Sequence, residues 1–480
     1  MSPTTGRPSR PRAAASDEAT LEQLGYKQEL NRSLGLFSSF GVQFTSIAIA
    51  SGLFSLLGVG LGFFGPASIW SFFVGGAFQV LTVGLAVSML VSAYPLAGGV
   101  YQITARITKK VWLGWQTGWW LLIAHTVAVT AVSVQISPFI ANWFGVEFHS
   151  TADSLPWVIG LIVLGTLVNV AGVRFAAILN NIGVVAEILC AVVLVAALLL
   201  VKHPTQPLSF LTDTGGKEVD GNWFVPFMLA MMLPAFAISS FDATGNASEE
   251  TRNAAKIAPM ACVLANASSW LVGTFMYGLL LLAIQDLPAV MDSAIPVKVI
   301  MSSAIGVGFT NVFEAVAILA LFACLVMLQL TGIRVLWAQA RDGQFPASDW
   351  LRKVSAQRIP INATLVVFVL SILFSLWSTL LNVLAAMTAL AWALAYGVVV
   401  TVGFYALIKK RLPHAPWHYG KLSPLIFVLS IIWSIVLCAL LVYSDPIRVG
   451  LGMLIVIAVG AVLYLSIPKS RRGQALLHHQ

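Results

Sequence analysis

The chain reads as an all-α membrane protein with twelve transmembrane helices, and three observations predict that class. Of its 480 residues, 58% are hydrophobic and 10% charged, whereas a soluble domain carries about 25% charged residues. The charges are segregated. Between Arg32 and Arg106, and again between Arg358 and Lys409, there is no Asp, Glu, Lys or Arg. Each run is long enough for two spans of about 20 residues joined by a tight turn. Finally, two apolar segments are interrupted at mid-membrane depth by small and polar residues, Ala48-Ile49-Ala50-Ser51-Gly52 and Ser239-Ser240-Phe241-Asp242-Ala243-Thr244-Gly245. Hydrocarbon cannot satisfy the backbone groups that such breaks release. Paired breaks in matching positions of two halves point to the binding site of a secondary transporter.

Taken in order, the spans are expected at approximately 36–64, 66–93, 115–141, 156–173, 178–201, 225–247, 261–284, 304–333, 361–379, 382–408, 423–444 and 448–467. Residues 1–33, rich in Ser, Pro, Arg and Ala, read as a disordered cytoplasmic tail. No cleavable signal peptide is read there, so the first span is expected to act as the entry signal. Residues 34–201 hold a first set of five helices, 202–224 an external loop, and 225–408 a second set of five in inverted orientation. Residues 409–468 form an inner loop and peripheral helices eleven and twelve, and 469–480 a cytoplasmic tail. Orientation follows from the basic residues. Of 27 Lys and Arg, only Lys202, Lys217, Lys298 and Arg448 fall on the outer side, which places both termini in the cytoplasm. The net charge of +8 is thereby a topogenic signal suited to anionic lipid, and needs no nucleic-acid partner. The Asn-x-Ser/Thr matches at Asn31, Asn246, Asn266 and Asn362 fall in or near the inner face and are expected to stay unmodified. Cys190, Cys262, Cys324 and Cys438 are scattered without metal-ligand spacing and read as small core residues. No metal or cofactor is implied.

A broken helix presents N–H groups at one new end, which favour a carboxylate, and carbonyls at the other, which favour an ammonium group or cation. The breaks therefore suit a small zwitterion or amine. Its carboxylate is expected on the N–H groups around Ala50, Ser51 and Gly52, and its ammonium group near the carbonyls of Ser239, Ser240 and Phe241. Ala48 and Ile49 complete the first break. Ser51-Gly52 also fits close helix approach by small residues. Asp242 is a candidate helix cap, cation ligand or proton carrier.

Ionisable groups inside spans are costly and default to functional hypotheses. Glu187 shares a helical face with Asn180, Gly183, Val184, Cys190, Ala191 and Leu194, while the bulkier Ile182, Val185, Leu189 and Val192 lie opposite. It is expected to point into the bundle, either as a proton-coupling carboxyl or as a permanently neutral acid. Glu314 is expected nearer the outer surface and wetted. His125 is expected to be a satisfied core histidine. After span six, Glu249, Glu250 and Arg252 form a charged stretch, either a latch of the inner gate or a solvated helix end.

Three stretches carry a family resemblance: Ala93-Tyr94-Pro95-Leu96-Ala97-Gly98-Gly99-Val100-Tyr101, Phe241-Asp242-Ala243 through Ser248-Glu249-Glu250-Thr251-Arg252-Asn253-Ala254, and Arg341-Asp342-Gly343-Gln344-Phe345-Pro346 with Pro360-Ile361-Asn362-Ala363. Over roughly residues 34–445 the chain resembles the amino acid/choline transporter branch of the amino acid–polyamine–organocation superfamily. That resemblance implies the leucine-transporter-type fold, a 5+5 inverted repeat with discontinuous helices 1 and 6, and alternating access. It also implies amino acids, 4-aminobutyrate, choline or other amines as substrates. The chain departs from the family where Ala48 and Ala50 stand in place of the usual Gly.

The expected function is a secondary active transporter of a small amino acid or related amine, driven by protons, in a plasma membrane of bacterial inner-membrane type. An obligate exchanger without a proton step and a non-transporting solute sensor are the alternatives. An enzyme is disfavoured because no catalytic or metal constellation shares one depth, and a channel because no repeated filter is present.

Overall fold

The computed structural model describes residues 12–24, 28, 32, 34–200, 206–293, 295–355 and 359–472. Among them it is helical throughout, with isolated backbone bridges at Leu34–Thr251 and Val219–Asn222 and no strand. Part of the stretch read as a tail is the helix α1 (Arg12–Gln23). The first expected span is split into α2 (Leu36–Ile47) and α3 (Ile49–Phe64). A tight turn at Gly65-Pro66-Ala67 leads into α4 (Ser68–Phe78), which continues through a π-helical turn at Gln79–Gly84 into α5 (Leu85–Ala93). A short amphipathic α6 (Gly99–Thr108) follows Pro95 and the Gly98-Gly99 pair, where Gly98 takes the left-handed φ of 89°.

The long rod α7 (Val111–Trp143) comes next, then α8 (Leu155–Ala171) and α9 (Val173–Leu200). The sixth expected span is broken into α10 (Phe224–Ala230), α11 (Met232–Ala237) and the single turn α12 (Ala243–Asn246). Beyond it run α13 (Ala254–Leu282), the short α14 (Leu287–Asp292) and α15 (Pro296–Ile305), and the rod α16 (Val307–Arg341). The chain ends with α17 (Ser348–Leu351), α18 (Ile361–Trp377), α19 (Leu381–Ile408), α20 (Ser423–Ser444) and α21 (Gly452–Ser466).

Nine helical stretches among the described residues are long and apolar enough to cross a membrane. The difference from twelve has a physical origin. The turn between α3 and α4 is itself helical, so Leu56–Ala93 runs as one stretch, the sixth span is cut to Phe224–Ala237 by its break, and α18 has only 17 residues. At 1.5 Å per residue a broken or short helix no longer meets the length of a span by itself.

The rods sort by burial. In α7, 94% of the most apolar window is buried inside the protein, against 28% for the stretch containing α21. α7 packs on α16 and α19, while α9 packs on α16 and α2 on α13. This places α7 at the centre and α20 and α21 at the periphery. The polar residues of α7 turn back on its own carbonyls, as Thr117 does on Leu113, Thr126 on Leu122 and Ser133 on Val129, so they add little cost in an apolar core. The α9 face predicted for lipid is exposed at Ile182, Val185, Leu189 and Val192, whereas Glu187 is 1% exposed.

Small residues allow the closest approaches. A Cβ on Gly183 of α9 would lie 2.4 Å from the Ala323 Cβ of α16, whereas one on Gly160 of α8 would meet nothing within 4 Å. Gly183→Ala is therefore expected to destabilise the fold by about 1–3 kcal/mol through overpacking, lowering the thermal midpoint in detergent. Gly160→Ala should leave it unchanged or raise it.

Candidate functional site

The first break is one residue wide. Ala48 takes a left-handed conformation (φ 49°, ψ 54°) between α2 and α3, which costs an L-residue roughly 1–2 kcal/mol. Its N–H still closes the last turn of α2 on the Phe44 carbonyl at 3.0 Å, and its carbonyl accepts from Gly52 N–H at 2.7 Å. The N–H of Ala50, in the first turn of α3, donates to Oε1 of Glu187. The buried carboxyl thus sits on the helix end where the sequence places a substrate carboxylate, and an acid there suits the positive end of the helix dipole.

The second break spans Ile238 to Asp242. Ser240 adopts φ 58°, and the chain re-enters α12 through Ala243 N–H donating to the Ser240 carbonyl at 2.9 Å. Gln43, on α2, donates its amide to the Ser240 carbonyl at 2.7 Å and to the Ser239 carbonyl at 3.3 Å. One side chain from the first broken helix therefore satisfies the carbonyls of the second. The Cys262 thiol faces the Phe241 carbonyl at 3.6 Å.

Between the breaks lies a closed cavity of about 20 Å³, walled by Ser46, Ile47, Ala48, Gly52, Ala237 and Ser239, with Gln135 and Trp392 among the other lining side chains. A single water needs about 10–15 Å³, so the cavity has no room for an amino acid. Its walls include the C-terminal ends of α2 and α11, both of which carry partial negative charge. Gln135 also lines a wider vestibule of about 390 Å³ bounded by Pro138, Phe148, Ser150 and Leu381. It stands between the two spaces.

The candidate residues divide by position. Ala48, Gly52 and Ser239 line the cavity. Ile49 turns toward α13, where a Cβ on Gly273 would lie 2.6 Å from its Cγ1. Ala50 presents its N–H to Glu187. Ser51 belongs to α3, and its side chain lies outside the described residues. Ser240 offers its carbonyl to Gln43. Phe241 is fully buried, edge-on to Tyr396 with ring centroids 5.4 Å apart. Asp242 makes no side-chain cap on α12. Its Oδ1 accepts from the Tyr396 hydroxyl at 2.5 Å and its Oδ2 from the Asn246 amide at 2.8 Å.

Two further expectations change. Glu314 is 1% exposed rather than wetted, and it pairs with Lys298 at 3.1 Å. His125 is satisfied on one side only. Nδ1 meets the Leu121 carbonyl at 2.7 Å, while Nε2 stands 3.9 Å from Oδ2 of Asp242.

The charged stretch after α12 is tied down on three sides. Glu249 accepts from Ala97 N–H at 3.0 Å, Glu250 pairs with Arg334 of α16 at 3.0 Å, and Arg252 donates to the Arg32 carbonyl at 3.2 Å. Arg32 in turn donates to the Thr251 carbonyl at 2.7 Å, and Asp17 of α1 accepts from Asn253 N–H at 2.7 Å and Ala254 N–H at 3.2 Å, capping α13. Burial lowers the pKa of Arg32, and the neighbouring carboxylates of Asp17 and Glu249 oppose that shift. Nearby, burial raises the pKa of Asp342, although Arg341 opposes it and Tyr101 and Gln102 donate to its carboxyl.

A multi-pass helical bundle with a small cavity at two helix breaks suits a membrane transport protein. The chain belongs to the amino acid permease family, whose model matches residues 34–464. It is similar to the amino-acid permease BAT1 homolog of Oryza sativa, at 25% identity over 86% of this chain and 85% of the relative. It is similar also to the thiamine transporter thi9 of Schizosaccharomyces pombe (26%, 90% and 80%) and to the GABA-specific permease of Saccharomyces cerevisiae (25%, 90% and 79%).

Reading the residues alone missed Gln43 and Tyr396. Gln43 lies in a span otherwise free of amides, between Val42 and Phe44, and that isolation was the available signal. Gln43→Leu leaves the Ser240 carbonyl short of a buried donor. It is expected to cost about 1–3 kcal/mol, seen as a lower thermal midpoint than that of the wild type.

Proposed function

We propose that the chain is a secondary active transporter that moves a small amino acid or related amine by alternating access, coupled to protons through Glu187. The observation that carries this reading is the buried Glu187 carboxyl on the Ala50 N–H. An ionised Glu187 and a substrate carboxylate compete for the same helix end. Protonation makes Glu187 a poor acceptor, frees the N–H for the substrate, and removes a negative charge that would repel it. Proton and carboxylate then bind together. After the cavity opens to the other side, both leave and Glu187 returns to Ala50. The substrate's ammonium group would sit toward the carbonyl ends of α2 and α11, with Ser239 beside it and Phe241 and Asp242 supporting the break.

The architecture proposed for this cycle is twelve spans, ten of them in a 5+5 inverted repeat, with both termini cytoplasmic in the plasma membrane. The α2–α5 and α10–α13 segments would rock against α7, α9, α16 and α18. The ties of Glu249, Glu250 and Arg252 would form the closed inner gate, and the vestibule beyond Gln135 the outer entrance.

A second reading concerns the substrate. A cation without a carboxylate would bind at the carbonyl ends while leaving Glu187 in place. The partly negative cavity walls favour it, and a relative named as a thiamine transporter is in keeping with it. An obligate exchanger would use the same cavity without net proton movement.

In proteoliposomes, Glu187→Gln is expected to abolish accumulation driven by an acid-outside gradient while sparing exchange, because Gln can still accept from Ala50 N–H. Candidate substrates would be ranked beforehand by thermal shift against amino acids, 4-aminobutyrate, choline, thiamine and polyamines. Unchanged acid-driven accumulation in the variant removes Glu187 from the coupling step. Wild-type uptake only into vesicles preloaded with substrate identifies an exchanger.

A further inference from the structure

The second break holds a titratable pair that the Glu187 cycle does not use. His125 lies on α7 and Asp242 in the break, 1% and 0% exposed. The imidazole's tautomer is set by its neighbour. A carbonyl only accepts, so the 2.7 Å contact to Leu121 requires a proton on Nδ1. Nε2 therefore faces Asp242 Oδ2, 3.9 Å away, either as a bare lone pair or as a second N–H. It has no hydrogen-bond partner among the described residues. The carboxylate is surrounded by donors, with the Tyr396 hydroxyl on Oδ1 at 2.5 Å and the Asn246 amide on Oδ2 at 2.8 Å. Both of its oxygens therefore act as acceptors. A bare lone pair opposite an ionised carboxylate would leave a buried negative charge with no cation.

We propose that His125 and Asp242 form a second buried proton site, which holds one proton on Nε2 as an imidazolium–carboxylate pair distinct from Glu187. The groups bordering it are consistent with that assignment. Tyr396 from α19 and Cys262 from α13 are the titratable neighbours, and both act as donors, the hydroxyl to Asp242 and the thiol to the Phe241 carbonyl. Gly332 of α16, whose added Cβ would lie 3.2 Å from His125 Cβ, brings no charge, and neither does Val367 of α18 beside it. The proton is therefore the positive charge that balances Asp242. It is also legible from the cavity. Trp392 stands edge-on to the His125 ring, with centroids 5.8 Å apart at 89°, and the same indole lines the cavity and packs toward Phe236. Loss of the proton would leave a net negative charge behind that wall. A substrate cation at the break could then replace it, which makes the pair a site where proton and cation exchange.

The test needs no substrate, so its failure is distinguishable from failure of the transport reading. Full-length protein labelled with 15N-histidine would be studied in nanodiscs, with the His125 signals identified by their loss in His125→Gln. At about pH 7.5, both ring nitrogens of His125 should carry protons. Asp242→Asn should strip the Nε2 proton at that pH, whereas Glu187→Gln should leave the spectrum of His125 unchanged. A bare Nε2 in the wild-type protein at that pH overturns the proposal, as does a protonated Nε2 that persists in Asp242→Asn. The wild-type spectrum decides the question even if Asp242→Asn does not fold.

Discussion

Backbone released by a broken helix inside a bilayer has no solvent to turn to, and the centre of this molecule is organised around that constraint. Interrupting α2–α3 exposes N–H groups at the start of α3, and interrupting α11–α12 exposes carbonyls from Ser239 onward. Each set is met by a single side chain from another element, Glu187 of α9 for the Ala50 N–H and Gln43 of α2 for the Ser239 and Ser240 carbonyls. The two breaks are thereby stitched together and to α9 in the absence of substrate. In the proposed cycle a ligand would exchange its own polar groups for these, so that binding and rearrangement would be one event.

The cavity beside the two breaks leaves space for little more than a water. The two ends of the bundle differ. One is tied by Asp17, Arg32, Glu249, Glu250 and Arg252 through hydrogen bonds and ion pairs to α1, α13, α16 and the turn at Ala97. The other opens into the vestibule beside Gln135. Each ion pair at a partly exposed site contributes little alone.

Much of this was legible in the residues, and the reasons are specific. The breaks announce themselves because Ser51-Gly52 and Ser239-Ser240 interrupt long apolar runs, and the inward face of Glu187 follows from helical period, since Ile182, Val185, Leu189 and Val192 could only suit lipid. The loop charges Glu249, Glu250 and Arg252 stand out because they are adjacent in sequence, and the structure ties each to a different neighbour. What stayed hidden depends on pairing between distant elements. Gln43 reaches Ser240 across 197 positions and Tyr396 reaches Asp242 across 154, and no local pattern ties either pair together. Asp242 looked like a cap because it precedes a half-helix, but its oxygens accept instead from the Tyr396 hydroxyl of α19 and the Asn246 amide four residues on. Glu314 looked wetted because of its depth alone, and Lys298 on α15 lies over it.

The two carboxyls stand in opposite electrostatic settings. Glu187 meets the positive end of a helix through the Ala50 N–H. Asp242 lies beyond the negative end of α11, where a lone carboxylate would be repelled, and it is held by Tyr396, Asn246 and the facing His125. In the proposed cycle a proton arriving at Glu187 would make room for a carboxylate, whereas a proton leaving His125 would make room for a cation. A zwitterion would engage both sites with opposing proton traffic, while a simple amine would engage only the second. The number and direction of protons moved would then follow from the charges on the substrate.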